Sequence, residues 1–424
     1  MNFVDTYLRK QNFQPTLTDQ PQTDLFLCLA IPCFNEPTLI RTLQAIWDCK
    51  RPKTSVEVIV VVNSSENAPK ESILQNTLSL SEGLEWARNH DDPKLQFHFL
   101  YRPDLPQKFA GVGLARKIGM DEAVWRFSLV KNPKGIIAGF DADSLCDPNY
   151  LVEIEQHFLQ HPKSDGASVY FEHPISGEEF PKSIYDGIVK YELHLRYLNQ
   201  ALRLVGHPHA FHTVGSSFAV RMDAYVKQGG MNKRQAGEDF YFLQKIISLE
   251  NFTELNGTRI IPSPRESDRV PFGTGAAMRL LSACQNNELK TYSLQSYLDL
   301  KFFFNEVPNF YRTDKETIES KVSKLPTPIR NFLIENLFFE ELMSIQCNVA
   351  SPDKFRERFF RWFNAFKVIK FLNFTHTKYY VKQDVITEAG KLLEIIGIQP
   401  YSEANKLLGK YRLLDRKSLP VNQR

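Results

Sequence analysis

Gly135-Ile136-Ile137-Ala138-Gly139-Phe140-Asp141-Ala142-Asp143 carries the reading of this chain. Residues 135–140 are short, continuous and apolar, which suits a strand buried on both faces of a parallel sheet. Period-two alternation puts Asp141 and Asp143 on the same side, separated by one residue. In an open α/β sheet the ligand crevice lies at the carboxyl ends of the strands. Two adjacent carboxylates there repel each other unless a cation joins them. As hard oxygen donors they suit Mg2+ or Mn2+ bridging phosphates. The plain alternative is a solvated turn that caps a helix.

Three similar runs lie upstream, at 25–31 (Leu-Phe-Leu-Cys-Leu-Ala-Ile, stopped by Pro32), 56–62 and 95–101. Helical patterns separate them at 37–48, 68–89 and 113–129. Strand alternating with helix predicts an α/β fold with a parallel sheet. Further strands are expected at 166–171 and 213–220, and helices at 182–203 and 237–250. From 276 the pattern changes to helical segments at 276–304, 314–322, 328–346, 352–372, 382–396 and 401–412. The expected division is an α/β domain over 20–275 and an α-helical domain over 276–424. Between them, 262–275 holds Pro262, Pro264, Pro271, Gly273 and Gly275, which suits a loop.

The 424 residues give a prior of two to three domains. With 42% apolar and 24% charged residues the chain is globular, not disordered. A net charge of +3 is too small to argue for nucleic acid, and no nucleic-acid partner is expected. The charge is uneven: residues 276–424 carry 23 basic and 16 acidic side chains, a net of +7, and residues 1–275 carry 29 and 33, a net of −4. Cysteines 28, 33, 49, 146, 284 and 347 form no Cys-x-x-Cys, so a metal cluster or redox pair is not expected. The start, Met-Asn-Phe-Val-Asp, lacks the basic and apolar regions of a signal peptide, and no run of 18 apolar residues exists. A cytoplasmic protein is expected, with a peripheral contact at the inner face of the membrane through the basic C-terminal region kept open.

Gly237-Glu238-Asp239 opens a helical pattern. Acidic residues are ordinary good chemistry in a first helical turn. A carboxylate there can also be aimed into a cleft to take a proton from a hydroxyl. Together with Ile31-Pro32-Cys33-Phe34-Asn35-Glu36 after the first strand, Gly111–Gly119 opening the third helix, and Gly215-Ser216-Ser217-Phe218-Ala219 followed by Gly229-Gly230, these motifs resemble the family 2 glycosyltransferases of the GT-A fold. The resemblance covers residues 25–270.

It implies a GT-A type, Rossmann-like nucleotide-binding domain with a mostly parallel mixed sheet. It implies transfer of a sugar (hexosyltransferase type) from a nucleoside diphosphate sugar to a hydroxyl, with inversion. Pro32, Asn35, Glu36, Asn63, Arg116 and Asp141 would contact the nucleotide. Asp141 and Asp143 would hold the metal, Mn2+ or Mg2+, with Asp143 the direct ligand. Asp239 would be the catalytic base and Glu238 its acceptor-side neighbour. A cation-neutralised nucleoside diphosphate is a good leaving group, so one base suffices; a glycosidase needs two carboxylates. The acceptor would be a sugar or a lipid-linked sugar.

Two departures from the family pattern stand out. After the second strand the family carries paired aspartates, where this chain reads Val62-Asn63-Ser64-Ser65. Asn63 both donates and accepts, so it can still read a base edge. The Gln-x-x-Arg-Trp motif of processive members is missing. Three further features each have two readings. Pro264–Gly275 contains Arg265 and Arg269; it is either a lid whose Arg269 reaches a diphosphate or a linker. His207, His209 and His212 look like a metal cluster, but Pro208 extends the chain, and loop histidines are the favoured reading. Phe355, Phe359, Trp362, Phe363, Phe366 and Ile369 form an apolar stripe, flanked by basic residues, that is either core or a membrane-surface helix; core is favoured. Other readings of the whole are a retaining transferase, a degenerate nucleotide- or sugar-binding protein, and a nucleotidyltransferase.

Overall fold

The apolar runs of the N-terminal half become parallel strands β1 (Leu25–Cys33), β2 (Ser55–Ser65), β3 (Leu95–Leu105) and β4 (Ile136–Gly139) in a computed structural model. The model describes residues 3–269, 273–283 and 288–417; Pro271 of the expected loop and Cys284 lie outside the described residues. The strands are preceded by α1 (Phe3–Lys10) and linked by α2 (Leu39–Trp47), α3 (Lys70–Arg88) and α4 (Val112–Leu129). Then come β5 (Leu145–Cys146), α5 (Tyr150–Gln160), β6 (Gly166–Phe171), α6 (Lys182–Leu204), β7 (Phe218–Arg221), α7 (Met222–Lys227), α8 (Glu238–Ile247) and β8 (Phe252–Ile261).

The sheet runs β3-β2-β1-β4-β7-β6-β8-β5. Its first four strands are parallel; β7 is antiparallel to β4 and β6, and β5 is antiparallel to β8. This is the expected mostly parallel, mixed α/β sheet. Register pairs Cys33 with Val62 and Ala30 with Gly139, so the carboxyl ends of β2, β1 and β4 meet on one edge.

Helix α4 is unusual in burying polar residues all round: Arg116, Lys117, Asp121, Glu122 and Arg126 are all inside. Each has a partner, as buried polar groups require. Asp121 takes the hydroxyls of Tyr7 (2.6 Å) and Tyr225 (2.8 Å) and pairs with Lys117 at 2.8 Å. Glu122 accepts the backbone N–H of Thr16 and Leu17 at 3.0 and 2.9 Å. Arg126 holds Glu57 at 2.6 and 2.8 Å and the Asp19 carbonyl at 2.5 Å. Residues 3–19 are thereby fastened along α4.

The chain divides into two compact units. One runs to Tyr185 and resumes at Thr213–Arg279; the other takes Asp186–His212 and the chain from Leu280. The second is helical: part of α6, the end of α9 (Thr274–Ala283), α10 (Leu294–Glu306), α11 (Lys315–Ser323), α12 (Thr327–Glu335), α13 (Phe338–Cys347), α14 (Pro352–Trp362), α15 (Ala365–Lys378), α16 (Val385–Ile395) and α17 (Ala404–Arg416), with a short ladder of β9 (Lys290–Thr291) and β10 (Gln383–Asp384). Three expected long helices are broken: 276–304 is interrupted by β9 (Lys290–Thr291) between α9 and α10, and two others are each broken once. Leu337, at φ +54°, separates α12 from α13. Asn364 starts α15 anew, its side chain accepting from Phe366 and Lys367 N–H.

Phenylalanine builds the core of this second unit. Phe303 meets Phe310, Phe338, Phe359 and Phe363 at centroid distances of 5.5–6.2 Å. The stripe therefore packs inward: Phe355, Phe359 and Phe363 are buried, while Ile369 is exposed. Trp362 lies against Phe338 at 5.9 Å, with Lys367 Nζ 4.0 Å over its ring. His207 sits between Phe304 and Phe360, donates from Nε2 to the Phe363 carbonyl at 2.9 Å, and accepts the His209 N–H. Burial pushes its pKa down to about 3, so it is a neutral core residue. His212 turns instead to Asp415 at 3.0 Å. The three histidines do not converge.

Candidate functional site

At the end of β4 the chain turns through Asp141-Ala142-Asp143, closed by Ser144 N–H on the Asp141 carbonyl at 3.1 Å. Thr42 of α2 pins this turn from below, its hydroxyl reaching the Ala142 carbonyl at 2.8 Å. The two carboxylates then diverge to different arginines.

Asp141 meets Arg116, whose guanidinium is buried and donates from Nη2 at 2.5 Å. Nη1 of the same guanidinium holds Glu238, the first residue of α8. Two backbone features make room for this bridge. A Cβ on Gly215 would lie 2.7 Å from the Arg116 guanidinium, so any side chain there would displace it from the bridge. Gly237 caps α8 with φ +67°, the left-handed region glycine enters without cost. Asp239 follows, its Oδ1 accepting the Phe240 N–H at 2.7 Å.

Asp143 meets Arg265, whose Nε lies 2.7 Å from Oδ2. Arg265 also donates to Glu36, which is 1% exposed. Arg269 joins from the same loop, 3.3 Å from Glu36 and 2.5 Å from the Asn35 carbonyl. Glu36 Oε1 further accepts the Thr38 N–H at 3.1 Å and the Thr38 hydroxyl at 2.7 Å. The Glu36 carboxylate is thus turned toward the loop arginines and its own turn.

Burial is the first cause of every resolved acid shift here. It pushes Asp143 up to about 6, with Asp141 and Glu36 adding and Arg265 opposing. It pushes Glu238 up to about 7 against the pull of Arg116. Asp239 is raised as well, for the same reason and with the same opposition. Arg116 and Arg265 are held above the usual range by the carboxylates, which outweigh their burial.

The structure thus joins Asp141, Arg116 and Glu238 directly, joins Asp143 to Glu36 through Arg265, and joins Arg269 to Glu36 and the Asn35 carbonyl. Pro32 lies in β1 opposite Val61, and Asn63 ends β2 with 4% exposure. Sequence reasoning left Thr42, Asn76 and Ser79 unnoticed, and passed over Arg265 in favour of Arg269. Arg265 lay within the quoted loop; the other three sit on helices, where nothing local marks them.

Among the described residues no group of three or more His, Cys, Asp or Glu that could hold a metal is found. Asp141 and Asp143 offer two hard carboxylates, as a divalent cation needs. Five carboxylates (Glu36, Asp141, Asp143, Glu238, Asp239) also face three guanidiniums, an excess when ionised of two negative charges. The donor chemistry of Asp141 and Asp143 therefore fits a divalent cation. No helix among the described residues is long and apolar enough to cross a membrane.

No family model matches the chain, and no curated protein matches it. Solved structures do. S. aureus TarS 1–349 in complex with UDP-GlcNAc is similar over 92% of this chain and 88% of that one, at 15% identity and a TM-score of 0.38. The mannosyltransferase PcManGT from Pyrobaculum calidifontis, in complex with GDP-Man and Mn2+, is similar over 97% of this chain and 92% of that one, at 14% identity and a TM-score of 0.38. Likenesses this distant carry no statement about activity, which has to come from the residues of this chain.

Proposed function

We propose that this chain is a glycosyltransferase of the GT-A, family 2 type, moving a sugar from a nucleoside diphosphate sugar to a hydroxyl of a sugar or lipid-linked acceptor, with inversion. One observation carries the reading: the buried Arg116 guanidinium holds Asp141 after β4 and Glu238 at the start of α8. Two carboxylates, one from each acidic motif, thereby meet on one guanidinium beside the carboxyl end of β4.

The Asp141/Asp143 pair, with Asn35, Asn63 and Pro32, is assigned to the donor nucleotide. A divalent cation, Mn2+ or Mg2+, held there would neutralise the diphosphate. Arg265 and Arg269 can transfer their hydrogen bonds from Glu36 to diphosphate oxygens, which suit the guanidinium fork. Glu36 then serves as the resting partner of both arginines. On the other side, Asp239 takes the proton of the acceptor hydroxyl. The hydroxyl oxygen forms the new bond to the anomeric carbon. The old bond to the diphosphate breaks, and its electron pair leaves with the diphosphate. Glu238 stays on Arg116 and faces the acceptor side. A cytoplasmic location and a peripheral membrane contact belong to the same proposal; exposed Arg356, Arg358, Arg361 and Lys370 supply its basic surface. Flotation with anionic vesicles tests that contact, and a protein left at the bottom of the gradient removes it.

The test of the donor site is a thermal-shift panel of UDP, GDP, CDP, ADP and dTDP, each with and without Mn2+. A ligand at a hundred times its Kd adds about 2.7 kcal/mol to stability. The expected result is a shift with one diphosphate that needs Mn2+ and disappears in Asp143→Ala. No shift with any diphosphate overturns the nucleotide-sugar reading. Asp239→Asn is expected to cut kcat by about 10²–10⁴-fold, the usual worth of a general base, with diphosphate affinity unchanged. Substantial turnover in that variant instead favours a retaining transferase.

A further inference from the structure

Helix α3 packs on the sheet with an unexpected face. Its buried residues are Ser72, Asn76, Ser79 and Gly83, spaced four, three and four apart. A helix covering a sheet normally buries an apolar stripe. Burying an amide is costly unless both its ends find partners. Asn76 is fully buried and both its ends are satisfied. Its Oδ1 accepts the Asn35 N–H at 2.7 Å, and its Nδ2 donates to the Asn63 carbonyl at 2.9 Å. One turn along, the Ser79 hydroxyl donates to the Glu36 carbonyl at 2.8 Å.

We propose that Asn76 is the positioning residue of the base-reading end of the donor site; this rests on the nucleotide-sugar reading above. A single amide ties the turn after β1 to the end of β2. Asn35 needs such a tie, because its φ of +50° is a sparsely populated conformation that persists only when its surroundings fix it. Asparagine alone supplies a donor and an acceptor at this reach: aspartate lacks the donor, and leucine, of the same shape, lacks both.

The sheet order separates this end of the site from the phosphate end. Strands β2, β1 and β4 are consecutive neighbours. The end of β2 therefore lies two inter-strand spacings, about 10 Å, from the strand that carries Asp141. Asp141 and Asp143 stand at the β4 side, and Asn76 touches neither; the loop arginines do reach the β1 turn, Arg265 through the Glu36 side chain and Arg269 through Glu36 and the Asn35 carbonyl. Loosening the β1 turn and the β2 end should then weaken recognition of the base more than it weakens the diphosphate contacts.

Calorimetric titration of the full chain tests this. The ligands are the nucleoside diphosphate that the unmodified protein binds best, and inorganic pyrophosphate, both with Mn2+. In Asn76→Asp and Asn76→Ala the nucleoside diphosphate Kd is expected to rise at least tenfold, with reduced discrimination among the five bases. The pyrophosphate Kd is expected to rise much less, by about threefold at most. Ser79→Ala removes only the neighbouring hydrogen bond; it is expected to show a smaller loss of the same selective kind, and it keeps the test open should an Asn76 variant fail to fold. Equal losses for both ligands, or no loss, overturn the role of Asn76 while leaving the nucleotide-sugar reading standing. An unmodified protein that binds pyrophosphate but no nucleoside diphosphate overturns both.

Discussion

Asp143 is pulled in two directions. Arg265 at 2.7 Å favours its charge, while burial beside Asp141 and Glu36 opposes it, and its pKa settles at about 6. The sign for stability follows. A carboxyl whose folded pKa is raised binds its proton more tightly in the folded state, so its contribution to stability falls as pH rises from 3.8 to about 6 and is constant above that. For the proposed function the direction is opposite, since only the ionised form holds a cation. Mn2+-dependent diphosphate affinity should therefore be flat above pH 7 and fall by up to about tenfold per unit below pH 6. Titration calorimetry from pH 5 to 8 measures it; a flat profile removes Asp143 as the cation ligand. How much of the site could be read in the sequence is visible at this same scale. Asp141, Asp143 and Glu238 lie beside strand ends and helix starts that the pattern itself marks. Arg265, 229 residues from Glu36, is paired by tertiary folding alone. Thr42 and Asn76 act on backbone carbonyls and N–H groups, and such partners leave no trace in residue types.

Helix α4 shows what a single element does for the site. Its first turns place Arg116, and its later turns secure that placement through Asp121, Glu122 and Arg126. Arg126, fully buried against Glu57, is a link that should not tolerate truncation. Removing one partner strands a buried charge, which costs about 3–5 kcal/mol. Arg126→Ala should lose that much in urea denaturation. The pair Arg126→Met with Glu57→Leu should recover most of it, since apolar replacements of a buried pair are often neutral. Element by element, legibility tracked pattern strength. The runs at 25–31, 56–62 and 95–101 became strands, each extended beyond the quoted run, because short stretches rich in apolar, aromatic or β-branched residues and bounded by turn residues have few alternatives. Helix α1 and its following segment were missed because eight residues with one apolar face do not stand out from a terminus. The breaks at Leu337 and Asn364 were missed for a different reason: apolar periodicity continues across both, and only the backbone turn and the Asn364 cap interrupt it.

At the scale of the whole molecule the buried histidines set the response to acid. In the second unit burial holds His194 at about 4 and His207 at about 3, well under the unfolded value of 6.5. Both are neutral when folded, so the unfolded chain takes up protons first as pH falls. Their stabilising effect is complete above pH 6.5 and is lost from there toward pH 4, at about 1.4 kcal/mol per pH unit for each histidine. The stability of this unit against urea should accordingly drop by about 3 kcal/mol between pH 6.5 and pH 5. His207→Gln, which keeps a donor for the Phe363 carbonyl, should remove about half of that dependence. The measurement has a reporter already in place. Tryptophans 47, 86 and 125 belong to the first unit, and Trp362 stands alone in the second, against Phe338 and under the Lys367 ammonium. Replacing the other three by phenylalanine leaves one half-buried indole at the edge of the phenylalanine core. Its emission would shift to the red as that core admits water, giving an optical melting curve for one half of the molecule while the other half stays dark.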